Sequence, residues 1–190
     1  RPDQLVTNGA VNALAVSDDG TTYLGGHFTH VGMATGGGVP INIKSGHPQA
    51  FPAVLGSVYA VAEDGKGGWY IGGDFSSVGG VARGNLAHIL ADGTLDTHWA
   101  PYADQKVNTL AVSGNVVYVG GSFYHIDVGT GPQRRNHLAA IHTDGSLAGW
   151  SPNVNDRVNT LVISGSTVYV GGRFNSIDVG EGEQLRNYLA

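Results

Sequence analysis

The chain has 190 residues, enough for a sizeable core in one domain, and its 31 glycines follow no collagen-type triplet. A net charge of −5, with Lys44, Lys66 and Lys106 as the only lysines, argues against nucleic acid as a partner, because phosphate is met with clustered Lys and Arg. Apolar residues at 41% against 13% charged exclude disorder, the lack of cysteine excludes disulfides and thiolate metal sites, and no apolar run is long enough to span a membrane.

Taken in chain order, residues 1–10 precede a first strand-turn-strand stretch, "VNALAVSDDGTTYLGGHF", that begins at Val11. Three further stretches repeat it: "VYAVAEDGKGGWYIGGDF" from Val58, "VNTLAVSGNVVYVGGSF" from Val107 and "VNTLVISGSTVYVGGRF" from Val158. Their closing phenylalanines, Phe28, Phe75, Phe123 and Phe174, are spaced by 47, 48 and 51 residues. The runs are short, alternating and rich in Val, Tyr and Thr, and Gly, Asp and Asn break them. That pattern predicts strands and tight turns, not the paired amphipathic helices of a helical solenoid.

Each period is predicted to hold four strands. Strand a is of the "VNTLAVS" type and strand b of the "VVYVGG" type, joined by turns such as "SGN" at Ser113, "SGS" at Ser164, "DDG" at Asp18 and "EDG" at Glu63. Strand c is "NLAHIL" at Asn85 or "HLAAIH" at His137, and the "DG" turns after it lead to strand d, "TLDTHW" or "SLAGW". A proline loop, "WAP" at Trp99 or "WSP" at Trp150, closes the period. Asn, Asp and Gly supply the positive φ that such turns need.

Four short antiparallel strands per period of this length predict an all-β fold, a β-propeller of about four four-stranded blades. It forms either a closed four-blade ring or part of a larger propeller. A two-layer sandwich is the rival, but its strands need not recur at a fixed period. The domain covers 1–190. Its fourth blade is incomplete: in a closed ring residues 1–10 would supply that blade's missing outer strand, and in a longer propeller of about six to eight blades they would not. Leu110, Val112, Val117 and Val119 are expected between blades, Gly120 and Gly121 at a close backbone approach, and Phe123 and Trp150 as plugs near the rim.

The "YVGGSF" and "YVGGRF" cores, the preceding "VNTLAVSG" and the following "RNHLAAIHTDGSLAGWSP" resemble the bacterial delta-60-type β-propeller repeat family. The resemblance runs through nearly the whole chain. Repeat one departs from it after Phe28, where it lacks the arginine found at Arg83, Arg135 and Arg186. The resemblance implies a propeller in a secreted or cell-surface protein. It implies no catalytic residues and no particular ligand.

Chemistry-bearing motifs are sparse. His27 and His30, three apart, make a weak metal pair without a recurring third ligand. The remaining histidines, His88 among them, are expected singly on strands or exposed turns. Asp127 and Asp178, in "IDVGTGPQ" and "IDVGEGEQ", are candidates for calcium, against the plain alternative of Asp-held turns. The recurring arginines are expected to bond backbone carbonyls or an Asp of the next blade. Nucleophile, metalloprotease and phosphate-loop motifs are absent, so an enzyme using the central opening ranks below a binding module and a structural spacer. If strands a to d run outward, the a–b and c–d turns share one face and have little surface to offer. The b–c and d–a segments share the other and are long and polar. Any glycan or protein partner is expected there, near Tyr102, Tyr124, Asp127, Gln133, Asp178 and Glu181. Open blade edges add self-association as an expectation.

Overall fold

A computed structural model describes residues 5–7, 10–16, 22–27, 31–33, 36–37, 44, 46, 51–180 and 183–185. Phe28, His30, Glu181, Arg186 and the "DDG" turn at Asp18 lie outside the described residues. The described chain is all β, without a helix.

Repeat one contributes β1 (Leu5–Thr7), β2 (Ala10–Val16), β3 (Thr22–His27) and β4 (Val31–Met33). Repeat two holds β5 (Val54–Glu63), β6 (Trp69–Val78), β7 (Val81–Ala82) and β8 (Leu86–Ile89). Repeat three holds β9 (Tyr102–Ala103), β10 (Val107–Ser113), β11 (Val116–Gly121), β12 (His125–Asp127), β13 (Gln133–Arg134) and β14 (Leu138–His142). Repeat four holds β15 (Asn153–Val154), β16 (Val158–Ser164), β17 (Thr167–Gly172), β18 (Ser176–Asp178) and β19 (Glu183–Leu185).

The a–b hairpin is the constant element: β2–β3, β5–β6, β10–β11 and β16–β17 all pair antiparallel with a register shift one step into strand a. Gly114 and Gly165, both at φ 58°, make the turns of repeats three and four. Strand c follows on the outer side of strand b, as β8 on β6 and β14 on β11. Strand d is reduced to one bridge per repeat, Leu95 on Ile89 and Leu147 on Ile141. In "TLDT" the leucine is the one apolar residue, and in "SLAG" Leu147 is joined by the buried Ala148. The described strand of residues 1–10, β1, pairs with β4 inside repeat one and not with repeat four.

The core sits between repeats. β10 lies alongside both β5 and β16. One apolar cluster joins Tyr70 and Leu86 of repeat two to Val107, Leu110, Val117, Val119 and Phe123 of repeat three, with Val112 packed at its edge. A second gathers Val158, Leu161, Val170 and Phe174 of repeat four against Ala111 and Tyr118 of repeat three. Phe75 occupies the corresponding place in a third cluster, on the other face of repeat two. The paired glycines permit this closeness. A β-carbon on Gly72 would lie 2.6 Å from Val107 Cγ1, and one on Gly120 would lie 2.6 Å from Val158 Cγ1.

The two "W-x-P" tryptophans part company. Trp99 is 1% exposed and donates its ring N–H to His142 O at 3.0 Å, inside repeat three. Trp150 is 36% exposed, edge-on to Tyr118 at 5.1 Å. It is no rim plug, because no described residue covers it as repeat three covers Trp99.

Candidate binding face

The b–c and d–a segments are not separate loops. In repeat three, β12 and β13 form a hairpin and β9 pairs along its free edge, with Ala103 opposite Ile126 and Tyr102 opposite Asp127. In repeat four β15, β18 and β19 repeat the arrangement, with Asn153 opposite Asp178. Repeat two merges this small sheet into its long β5–β6 pair, bent at Leu55/Gly56.

Local chemistry sets the shape. Asp127 accepts the Gly129 N–H at 2.7 Å and the Gly131 N–H at 3.1 Å, and both glycines are at φ 91°. Asp178 accepts the Gly180 N–H at 2.8 Å. Both carboxylates thus hold turns through their own backbone. Among the described residues no three His, Asp or Glu side chains converge as a metal site requires. His27 is exposed at the end of β3.

Two residues that matter here escaped the sequence reading. Asp104 accepts N–H bonds from Tyr124 at 2.8 Å and His125 at 3.1 Å, and its other oxygen meets His125 Nδ1 at 2.9 Å. Burial alone would raise its pKa, but the bonds from His125 and Tyr124 outweigh it and hold the carboxyl below its ordinary value. Asn155 does the same work in repeat four, accepting from Asn175 at 3.0 Å and Ser176 at 3.1 Å. The signal was present: "YAD" and "NVN" place an Asp or Asn at the same point of the d–a segment.

The arginines serve the scaffold. Arg83 donates to Ala82 O at 2.9 Å and Asp96 O at 3.1 Å, and Arg135 donates to Arg134 O at 2.8 Å and Ala148 O at 3.3 Å. All four carbonyls lie in the arginine's own repeat, not in the next. Asn85, at φ 66°, accepts from Phe75 N at 3.0 Å and donates to Ala103 O at 2.9 Å, tying strand c of repeat two to β9.

Above this frame runs a groove of about 510 Å³, lined by Leu55, Asp74, Ser76, Arg83, Asn85 and Tyr102. Half of Tyr102 is exposed, and its ring lies against Gly84, where an added β-carbon would overlap it. Lys106 bridges from repeat three to Asp74 at 2.9 Å. Of the residues expected at a partner site, Tyr102, Asp127 and Gln133 share one small sheet, and Tyr102 alone lines the groove. Tyr124 is exposed and edge-on to His137 at 4.9 Å. Asp178 lines a separate hollow of about 370 Å³ with Trp150 and Pro152.

The opposite face is not bare, as the short turns had suggested. A hollow of about 620 Å³ there is lined by Asp64, Lys66, Tyr70, His88, Asp96 and Asn115, among others. His88 lies on strand β8, as expected, but it is buried at the floor of this hollow between two carboxylates and not a lone side chain. Its Nδ1 meets Asp96 at 2.9 Å and its Nε2 meets Asp64 at 3.1 Å, and its ring stacks on Tyr70 at 4.2 Å. Asp64 also accepts from Lys66 N and Gly68 N, and Asp96 from His98 N and Trp99 N. The cluster fastens the a–b turn to the c–d turn. Register places Ala140 and Ala148 of repeat three where His88 and Asp96 stand, so comparing repeats at equal register would have exposed it.

No curated protein matches the chain. Residues 64–98, from the a–b turn of repeat two to the end of its c–d hairpin, match the family described as "Domain of unknown function (DUF5122) beta-propeller". Together with the helix-free, antiparallel, repeat-on-repeat architecture, that match identifies the chain as an all-β protein of β-propeller repeats.

Proposed function

We propose that the chain is a non-catalytic binding module of a secreted or cell-surface protein, taking a glycan on its b–c/d–a face. The observation that carries the reading is Tyr102. Its ring rests on the Gly84 backbone with half its surface open, at the border of a groove that also offers Asp74, Ser76 and Asn85. A fixed aromatic ring beside polar groups suits a ligand with apolar C–H faces and many hydroxyls. The ring is already immobilised by the turn-anchored sheet beneath it, so little ordering entropy opposes binding.

A glycan array followed by calorimetry tests this. Tyr102→Ala is expected to weaken a positive glycan by about tenfold or more while the protein stays folded by circular dichroism. An array without a hit, or a hit that Tyr102→Ala does not weaken, overturns the reading. Localisation of the native protein to the cell interior overturns the extracellular part alone.

A further inference from the structure

The hollow of about 620 Å³ on the turn face lies across the boundary of two repeats. Lys66 and Asp92, from the a–b and c–d turns of repeat two, line it together with Asn115 and Thr143 of repeat three. The fold does not require its polar floor. Repeat three builds the same strands over Ala140 and Ala148. Its a–b turn is residues 114–115, where repeat two uses the longer 64–68. Titratable groups buried under a hollow in one repeat alone mark a site for a ligand.

The floor has lone pairs to offer and few donors. Both ring nitrogens of His88 are taken, one by Asp64 and one by Asp96. In each carboxylate Oδ1 accepts two backbone N–H bonds, while Oδ2 meets only the His88 ring and keeps a lone pair. Tyr70 adds a third acceptor. It is 2% exposed and lines the hollow. Among the described residues its hydroxyl has no hydrogen-bond partner, and it is not one of the atoms sealed from solvent. The lining is net negative as well: Asp64, Asp92 and Asp96 outnumber Lys66 and His88 even when His88 is charged.

We propose that this hollow is a binding site for an alkylammonium group. Three N–H donors on a positive charge match a floor of lone pairs inside a negative lining, where a phosphate or a carboxylate would be repelled. The volume is that of a small-molecule site. A metal ion does not fit, since no three described His, Asp or Glu side chains converge. The Tyr70 hydroxyl and the two carboxylates hold the nitrogen, and Asn115 and Thr143 offer polar groups to the rest of the ligand. The site lies on the face opposite Tyr102 and stands apart from the glycan reading.

Calorimetric titration of the intact 190-residue chain at neutral pH and low salt tests it. The probes are cadaverine and the peptide acetyl-Gly-Lys-Gly-amide, with inorganic phosphate as the anionic control. Saturable binding of at least one amine is expected with a dissociation constant of about 1 mM or below, weakening as salt is raised. The tighter of the two tells whether the ammonium comes from a free amine or from a protein side chain. Tyr70→Phe, which removes only the unbonded oxygen, is expected to weaken binding about tenfold or more. Lys66→Ala is expected to strengthen it about twofold or more, because a competing charge leaves the rim. Absence of binding by both amines at about 10 mM overturns the proposal, as does a preference for phosphate. Amine binding that Tyr70→Phe leaves unchanged overturns it too, being no more than attraction to an acidic chain. Should Tyr70→Phe fail to fold, Lys66→Ala on its exposed turn decides, and no gain in affinity overturns the proposal.

Discussion

Replacing His88 by alanine is expected to cost more than removing His88 and Asp96 together would suggest. His88 is the shared partner of Asp64 and Asp96, at 3.1 and 2.9 Å, and all three side chains are largely buried. Alanine at 88 leaves two carboxylate oxygens facing each other's field without a donor and removes the ring stacked on Tyr70. Leaving buried carboxylates without their hydrogen-bond partner costs about 3–5 kcal/mol. Partial exposure of Asp96 brings the expectation here to about 2–4 kcal/mol. Adding Asp96→Ala to that variant relieves part of the penalty, since repeat three runs the same backbone with Ala140 and Ala148. The two substitutions are therefore expected to be non-additive by at least about 1 kcal/mol. Urea denaturation followed by tryptophan fluorescence reads this directly, because Trp99 packs against Tyr70 and lies edge-on to His88. Additivity within about 0.5 kcal/mol, or a His88→Ala cost below about 1 kcal/mol, would refute the reasoning.

Acid is expected to loosen the same cluster. Burial would raise Asp64 and Asp96, but hydrogen bonds from backbone N–H groups and His88 outweigh it and hold both below their ordinary 3.8. Their stabilisation is thus complete above that value and is lost as pH falls through their lower folded-state values, and Asp96→Asn should flatten an acid-denaturation curve there. At the alkaline end, burial, with Asp64 and Asp96 nearby, pushes Tyr70 from 10.0 up to about 12. Its neutral form is the one the fold favours, so stability should fall as pH rises above 10.0, and absorbance titration compared with a Tyr70→Phe variant should show Tyr70 ionising late. Phe123→Ala and Trp99→Ala should each cost about 3–5 kcal/mol by denaturation, whereas Trp150→Ala should cost about 1 kcal/mol in the isolated chain. Gly120→Ala should cost about 1–3 kcal/mol, because its β-carbon would press on Val158 and Thr109; a thermal midpoint equal to the parent's would contradict the packing.

The a–b hairpins were legible because alternation such as Leu110-x-Val112 and Val117-x-Val119 and the Asn/Asp/Gly turns act within a few residues. Strand d was not, since pairing by Leu95 or Leu147 alone leaves no alternation that separates a bridge from a strand. The small sheets of the binding face escaped because strands as short as Gln133–Arg134 carry no period, and their partner β9 lies about twenty residues upstream. Tyr102 was picked for its loop, but its stacking on Gly84 is a contact across the chain. Trp99 and Trp150 share a motif and differ in burial because burial belongs to the neighbouring repeat. His88 shows the same limit from the other side: a strand position says nothing of which turn reaches over it.

The link strand has a consequence for how such a chain gains and loses repeats. β9 follows repeat two in sequence but pairs with the β12–β13 hairpin of repeat three, so the unit that folds is out of phase with the unit that is copied. A crossover between the "YVGG" segments of repeats three and four would join Tyr102–Asp104 to the Ser176–Asp178 hairpin. That hybrid keeps its clasp, because Asp104 offers the same acceptor that Asn155 offers to the N–H groups of Asn175 and Ser176. A cut between Tyr102 and Val107 would instead strand the clasp on the wrong fragment. Recombination at matched points of two repeats is thus silent for the architecture, whereas a fragment that begins at Val107 lacks the strand that clasps its own hairpin.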